Sequence, residues 1–120
     1  MERPYKKLDL WNIAMEVVFD VYKLTKKFPA YERYGLVNQL RRAAVSVPSN
    51  IAEGSSRNTK KEFTNFLYMA QGSLNEIDTQ LEIAKELGYL AAREFADIQK
   101  KIDRVARMIT GLIKKQKAVE

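Results

Sequence analysis

Apolar residues recur along this chain at alternating steps of three and four, with polar residues between them. This spacing places the apolar side chains on one side of a helix, where they can pack against a neighbour. The pattern predicts four helices, over about residues 8–27, 33–54, 59–87 and 91–115. Their apolar positions are Leu10, Ala14, Val17, Val21, Leu24 and Phe28, then Val37, Leu40, Ala44, Val47 and Ile51, then Phe63, Leu67, Ala70, Leu74, Ile77, Leu81 and Ala84, and finally Ile98, Ile102, Val105, Ile109 and Leu112.

The apolar period is close to 3.5 residues, which is typical of helices packed side by side, and the links between the helices are short. We therefore predict an all-α protein, an up-down-up-down antiparallel four-helix bundle. The length of 120 residues fits a single domain over residues 1–120.

Several residues mark the expected helix ends. Asp9 is a candidate N-cap for the first helix, and its carboxylate suits the positive end of the helix dipole. Thr59 and Glu62 form a capping-box pattern at the start of the third helix, and Gly88 is a good stop after it. We expect residues 116–120 to fray.

The second helix contains Pro48 within its apolar period. A proline inside a helix removes one hydrogen bond and crowds the carbonyl of Ala44, at a cost of about 3 kcal/mol unless packing offsets it. If Pro48 began a new helix, Val47 would have to cap it, and a β-branched apolar residue is a poor cap. We therefore predict one kinked helix and not two helices.

The opposite face of this second helix is small and hydrogen-bonding, unlike an ordinary lysine and glutamate surface. We consider it a subunit contact or a structural motif, with a solvated polar face as the alternative. Its residues, with their neighbours, are Gln39, Arg42, Ser46, Pro48, Ser49, Asn50, Glu53 and Gly54. Within such a contact, Arg42 would bond to Glu53 or Asn50.

The composition excludes much of enzyme chemistry. The 120 residues contain no cysteine and no histidine, so disulfides, thiolate nucleophiles and imidazole catalysis are absent. Carboxylate metal sites in bundles need Glu-x-x-His pairs, and no glycine-rich phosphate loop occurs. We expect a protein that is not an enzyme, with no metal and no cofactor. No apolar run is long enough for a membrane span, so we also expect a cytoplasmic protein.

The net charge of +6 is concentrated near the C-terminus. Between residues 100 and 117, seven basic residues stand against the single acid Asp103. Helical spacing places much of this charge opposite the apolar side, where it can neutralise successive phosphates. Ordinary solubility is the alternative explanation. The candidate nucleic-acid-binding residues are Lys100, Lys101, Arg104, Arg107, Lys114 and Lys115, with Arg41 and Arg57 as a second patch.

Three segments resemble a known family. They are residues 34–54, YGLVNQLRRAAVSVPSNIAEG, residues 66–76, FLYMAQGSLNE, and residues 87–90, LGYL. With the first helix, which carries Trp11, they resemble bacterial four-helix-bundle proteins encoded in intervening sequences of 23S rRNA genes, also called S23 ribosomal proteins. Asn12 and Ile13 depart from the glutamine and lysine common in that family.

The resemblance implies a ring-shaped homo-oligomer, typically a pentamer. A related family, the accessory variability determinant of diversity-generating retroelements, forms a similar basic barrel that engages nucleic acid and a reverse transcriptase. By this similarity we expect a non-catalytic oligomer that associates with rRNA or other nucleic acid, and with a nucleic-acid-processing protein. The alternative function is a protein–protein scaffold that does not bind nucleic acid.

Overall fold

The computed structural model describes residues 3–118 and confirms the four-helix bundle. The helices are α1 (Asp9–Thr25), α2 (Leu36–Ser55), α3 (Lys60–Glu86) and α4 (Ala92–Ala118). Short 3₁₀ turns precede α1 at Pro4–Lys7 and α2 at Ala30–Glu32, and these described residues contain no strand.

Each helix packs against the next one along the chain, and α1 closes the bundle against α4. Within residues 3–118, the diagonal helices α1 and α3, and likewise α2 and α4, have no Cα atoms within 8 Å of each other. Short links join helices that pack together, so neighbouring helices run antiparallel. The bundle measures 47 × 26 × 21 Å. None of the helices in the described part of the chain has both the length and the apolar content of a membrane span.

The predicted apolar seams form most of the core. Leu24 and Phe63 are only half-buried at its edge, and the seam shifts by one residue in α4. Ile98, Ile102, Val105 and Ile109 are buried as predicted, but the next buried residue is Ile113, while Leu112 is only half-buried. A straight helix has 3.6 residues per turn, so a seam counted at 3.5 drifts around the helix with length. By the last turns, the inward position has moved by one residue.

The first helix begins differently from the prediction. Asp9 is not the N-cap: Leu8 occupies that position without a side-chain hydrogen bond, and Asp9 lies in the first turn. There its charge still favours the positive end of the helix dipole. The side chain of Asn12 donates to the carbonyls of Lys6 and Leu8, at 2.9 and 3.0 Å, and ties the preceding turn to α1.

The predicted cap of α3 is present. The backbone N–H of Glu62 donates to Thr59 Oγ1 at 3.1 Å, and the Thr59 hydroxyl donates to Glu62 Oε1 at 3.2 Å. The reciprocal bond therefore joins the two side chains, whereas the sequence pattern predicted a bond to a backbone amide. Each bond holds the first turn of α3 in place.

Helix α4 is longer than predicted. Residues 116–118, which we expected to fray, are helical, while residues 119 and 120 lie outside the described part of the chain. Gln116 is half-buried, and the Lys117 ammonium lies 5.3 Å from the centre of the Tyr68 ring on α3. A cation over an aromatic face is stabilising, so these contacts extend the last turn.

Helix α2 runs through Pro48 without a break, as the apolar period predicted. Two side chains next to the proline form hydrogen bonds with backbone carbonyls of the preceding turn. The Ser49 hydroxyl donates to the Val45 carbonyl at 2.7 Å, and Asn50 Nδ2 donates to the Ser46 carbonyl at 2.9 Å. Because Pro48 is buried, its packing helps to offset the hydrogen bond that it removes.

The links at one end of the bundle are joined by a tyrosine. Gly88 ends α3 with φ 79°, a conformation that glycine adopts without strain. Tyr89 follows, and its hydroxyl donates to Glu32 Oε2 at 2.8 Å and lies 3.3 Å from the Tyr31 hydroxyl. These hydrogen bonds, first with Tyr31 and then with Glu32, raise the pKa of Tyr89 above its ordinary value. The link before α2 is thereby fixed to the link before α4.

Candidate nucleic-acid interface

The outer side of α4 carries a line of basic residues. Lys100, Arg104, Arg107 and Lys114 follow one another at helical spacing on the side opposite the buried Ile102 and its core neighbours, and all four are exposed. We call these four residues the α4 stripe. Lys115 is exposed beside it. Within residues 3–118, none of these five side chains forms an ion pair with an acid.

Lys101 was predicted as part of the same basic surface, but the structure places it between α1 and α4. Its ammonium donates to Asp20 Oδ2 at 2.8 Å and lies 3.4 Å from Glu16 Oε1. The hydrogen bond to Asp20, followed by the one to Glu16, raises the pKa of Lys101 above its ordinary value. Its charge is balanced within the chain, so Lys101 is separate from the α4 stripe.

The second predicted patch, Arg41 and Arg57, is divided between two places, and both guanidinium groups have partners. Arg41 Nε donates to Thr25 Oγ1 at 3.0 Å, and the guanidinium lies 4.5 Å from the centre of the Tyr22 ring. Arg57 forms an ion pair with Glu53 and lies over the Phe66 ring. These contacts fix α2 to α1 and the α2–α3 link to both of its helices, and they occupy both guanidinium groups.

Part of the polar face predicted on α2 is an intrachain contact with α3. The Ser73 hydroxyl donates to Ser46 Oγ at 2.9 Å, and Asn50 Nδ2 also donates to Ser46 Oγ at 3.0 Å. Farther along, Gln80 Nε2 donates to Gln39 Oε1 at 3.4 Å. In the described chain, Gln80 Oε1 is buried there without a hydrogen-bond partner.

Gly54 allows the close approach of α2 to α3. A Cβ atom at Gly54 would lie 2.6 Å from Phe66 Cβ and 2.9 Å from Phe63 Cδ1. Only a residue without a side chain allows α2 to approach α3 so closely. Gly54, Pro48, Ser46 and Asn50 are therefore parts of a structural motif within the chain.

The remaining residues of that face, Arg42, Ser49 and Glu53, are exposed, and Glu53 is paired with Arg57. Gln39 is exposed as well, although its side chain accepts from Gln80. Arg42 has no ion pair among residues 3–118. Its predicted bond was to Glu53 or Asn50 across a subunit contact. A bond to the same residues in a second copy stays a prediction.

Two features of the surface were missed by the sequence analysis. The first is Glu94, whose Oε1 accepts the Ala91 N–H at 2.9 Å, so it caps α4, while its Oε2 pairs with Lys27. The hydrogen bond from Lys27, and then the one from Ala91, lower the pKa of Glu94 below its ordinary value. The spacing of Glu94 three residues after Ala91 was the available signal.

The second is an apolar surface on the outer side of α1 and α2, made by Trp11, Met15, Phe19, Tyr22 and Val45. We call these five residues the α1/α2 face. Phe19 and Val45 are 57% and 42% exposed, and Trp11 and Met15 are half-buried. The signal was the apolar spacing of residues 11, 15, 19 and 22, which continues beside the core seam of the first helix.

The described residues contain no group of three or more acidic side chains placed to hold a metal ion. The fold and the surface together define a basic four-helix bundle with one exposed cationic helix face. The chain belongs to the family of 23S rRNA-intervening sequence proteins, whose family model matches residues 6–111.

A solved structure has the same fold. It is the 1.70 Å crystal structure of a protein of unknown function from the S23 ribosomal protein family of Bacteroides thetaiotaomicron, with a TM-score of 0.80 and 21% sequence identity. The match covers 88% of this chain and 98% of that one. No curated protein is significantly similar to the chain.

Proposed function

We propose that this protein is a non-catalytic, homo-oligomeric helical bundle that associates with RNA or DNA through the α4 stripe. The observation that carries the proposal is the contrast between neighbouring basic side chains on α4. Lys101 is balanced by Asp20 and Glu16, whereas Lys100 and Arg104 have no acidic partner among residues 3–118. Unpaired cations on a rigid helix are available to phosphates.

The geometry of the α4 stripe suits an extended polyanion. Lys100 and Lys114 are separated by fourteen residues, so the α4 stripe is about 21 Å long at 1.5 Å per helical residue. Each phosphate that a lysine or arginine neutralises releases condensed counterions, which gives binding that depends strongly on salt and little on sequence. An oligomer would present several copies of the α4 stripe to one nucleic acid.

The family supports RNA as the first ligand to test, because its description links it to intervening sequences of 23S rRNA. The partners we propose are further copies of this chain, rRNA or another nucleic acid, and a protein that processes nucleic acid. We place the protein in the cytoplasm, where ribosomal RNA is found. A chain without cysteine has no disulfide and fits that reducing compartment.

A protein–protein scaffold is the second candidate function, and the α1/α2 face favours it. Phe19, Tyr22 and Val45 expose apolar surface close together, and such patches mark interaction sites. The two candidates differ in their response to salt, since apolar contacts persist where phosphate contacts weaken.

The experiment is fluorescence anisotropy of the purified protein against labelled structured rRNA fragments and duplex DNA, titrated from low salt to above physiological salt. Saturable binding with a steep negative dependence of log affinity on log salt would support the proposal. Absence of binding at low salt would overturn the nucleic-acid function and leave the scaffold.

A further inference from the structure

We propose that a polar groove between α2 and α3 binds a free α-amino acid with an amide side chain, for which L-glutamine is the probe. The groove is lined by Ala43 and by polar residues from both helices. We call these polar residues the α2/α3 ladder: Gln39, Arg42, Ser46, Ser73, Glu76 and Gln80. None of them lies on α4, so the inference is independent of the proposed phosphate contacts.

The ladder follows from the antiparallel register of the two helices. On α2, positions 39, 42 and 46 are three and four residues apart, and positions 73, 76 and 80 repeat this spacing on α3. Each set therefore lines one side of its helix. Because the helices run in opposite directions, the first member of one set faces the last member of the other. Three cross-helix pairs result: Ser46 with Ser73, Arg42 with Glu76, and Gln39 with Gln80.

The two outer pairs of the ladder are closed by hydrogen bonds. The Ser73 hydroxyl donates to Ser46 Oγ at 2.9 Å, and Gln80 Nε2 donates to Gln39 Oε1 at 3.4 Å. The groove is thus bounded at both ends by contacts within the chain.

The middle pair of the ladder is open. Arg42 and Glu76 are both exposed in the same groove, yet neither forms an ion pair within residues 3–118. A ligand that bridges them needs an acceptor for the guanidinium group and a donor for the carboxylate. A free α-amino acid carries both on one carbon. Its carboxylate matches the two-pronged donor of Arg42, and its ammonium donates to Glu76.

The closed pairs limit the size of the ligand. Positions 39 and 46 are seven residues apart, so the closed pairs are separated by about 10 Å along the helix. An extended peptide advances about 3.3 Å per residue and would run through both closed pairs, whereas a single amino acid fits between them. A nucleobase is disfavoured because no aromatic ring lines the groove, so a base would have nothing on which to stack.

The Gln80 amide indicates which side chain the ligand carries. Gln80 Oε1 is buried without a hydrogen-bond partner in the described chain, and the bond from its Nε2 to Gln39 is long at 3.4 Å. Rotation of this amide toward the groove would let a ligand N–H supply the missing bond. The Gln39–Gln80 pair lies three to four residues from the charged pair, about 4.5–6 Å along the helices, which a glutamine side chain spans.

The test is an NMR chemical-shift titration of the full chain with L-glutamine and three analogues at millimolar concentration. 4-Aminobutanamide lacks only the α-carboxylate, glutaramate lacks only the α-ammonium, and L-glutamate lacks the side-chain N–H. We expect glutamine to shift the signals of the ladder, and each analogue to bind at least about tenfold more weakly.

Two variants assign the ligand groups to their partners. Arg42→Gln should bind glutamine and 4-aminobutanamide equally weakly, because the carboxylate has lost its partner, and Glu76→Gln should likewise bind glutamine and glutaramate equally weakly. Both side chains are exposed, so the helical circular dichroism is unchanged. Lys61→Gln and Glu86→Gln, which are exposed outside the groove, are the matched controls and keep the affinity of the wild type.

Three results would overturn the inference. The first is absence of shifts with glutamine in the wild type, and the second is shifts confined to residues outside the groove. The third is an Arg42→Gln variant that still prefers glutamine to 4-aminobutanamide. Binding of guanosine in place of glutamine would also reject the amino-acid site and identify the groove as a base site. The RNA titration does not enter any of these outcomes, so the two proposals fail separately.

Discussion

Gly54 of α2 faces Phe66 of α3 so closely that a Cβ atom at Gly54 would lie 2.6 Å from the Cβ of Phe66. The Phe63 carbonyl and ring border the same position, at 3.4 and 2.9 Å. The position of a Cβ atom is fixed by the helix backbone, so neither Cβ can move aside by a bond rotation. Any side chain at Gly54 must therefore push α2 and α3 apart.

We expect Gly54→Ala to destabilise the protein by about 1–3 kcal/mol, the usual effect of forcing an extra group into a packed core. Urea denaturation followed by circular dichroism measures this loss. An unchanged midpoint would show that the approach of α2 to α3 is looser than the structure has it.

Gly72→Ala is the matched control for that substitution. Gly72 also lies inside a helix, but apart from the adjoining backbone of that helix nothing lies within 4 Å of the place where its Cβ would be. Alanine is the better helix former, so we expect Gly72→Ala to stabilise the monomer by about 0.5–1 kcal/mol in the same denaturation experiment. A loss of stability in both variants would point to helix distortion and not to the contact with Phe66.

Reversal of charge on the α4 stripe tests the proposed function. We expect the double variant Arg104→Glu and Arg107→Glu to lose affinity for RNA at least about tenfold at low salt, and its salt dependence to become shallower by about 2 in slope. The bundle stays folded because both side chains are exposed. Anisotropy and circular dichroism measure the two effects.

The control for this variant reverses an equal charge elsewhere. Lys60 and Lys61 are exposed in the first turn of α3, where glutamate suits the helix dipole. We expect Lys60→Glu with Lys61→Glu to keep most of the affinity of the wild type. Equal losses in the two double variants would attribute binding to net charge alone and reject the α4 stripe as a defined site.

Two adjacent lysines separate binding from stability. Lys101→Gln removes the ion pairs with Asp20 and Glu16, so we expect a loss of about 0.5–1 kcal/mol of stability with RNA affinity nearly unchanged. Lys100→Gln should do the opposite, leaving stability within about 0.5 kcal/mol and making the salt dependence shallower by about 1 in slope. Denaturation measures the stability of both variants, and anisotropy measures their affinity for RNA. Equal changes in stability and in salt dependence for the two variants would contradict the prediction.

Glu94 predicts a dependence of stability on acid. Its pKa is lower in the folded protein than the ordinary value of 4.5, so its charge stabilises the fold above that value. The stabilisation is lost as the pH falls from about 4.5 through the lower folded pKa. The Glu94→Gln variant keeps an oxygen that can accept the Ala91 N–H. As the pH is lowered over this range, we expect its thermal unfolding temperature to fall less steeply than that of the wild type. Parallel curves for the two proteins would contradict the role of the charge.

The sequence predicted the helices well because their signal is local. Apolar residues three and four apart specify a helix face without reference to the rest of the chain, so even Pro48 could be placed inside α2. Errors occurred where this signal is weak or drifts: at the start of α1, where Leu8 and not Asp9 is the cap, and at the end of α4, where Ile113 replaces Leu112 in the core.

The candidate site was predicted less completely, because the sequence does not show which acidic residue a lysine or arginine will pair with. Lys100 and Lys101 look alike in the chain, but Asp20, the partner of Lys101, is 81 residues away. The same holds for Ser46, whose partner Ser73 comes from α3 and turns a supposed outer face partly inward.

The sequence by itself therefore determined the all-helical fold, the order of the helices and the excess of positive charge on α4, because periodicity and composition act within one helix. Only the tertiary structure decided which charges are free, which polar residues pack inside the chain and which apolar residues stay exposed. The physical reason is that ion pairs, close helix approach and burial depend on the antiparallel register between helices. That register brings together residues far apart in the chain, such as Lys27 with Glu94 and Asp20 with Lys101.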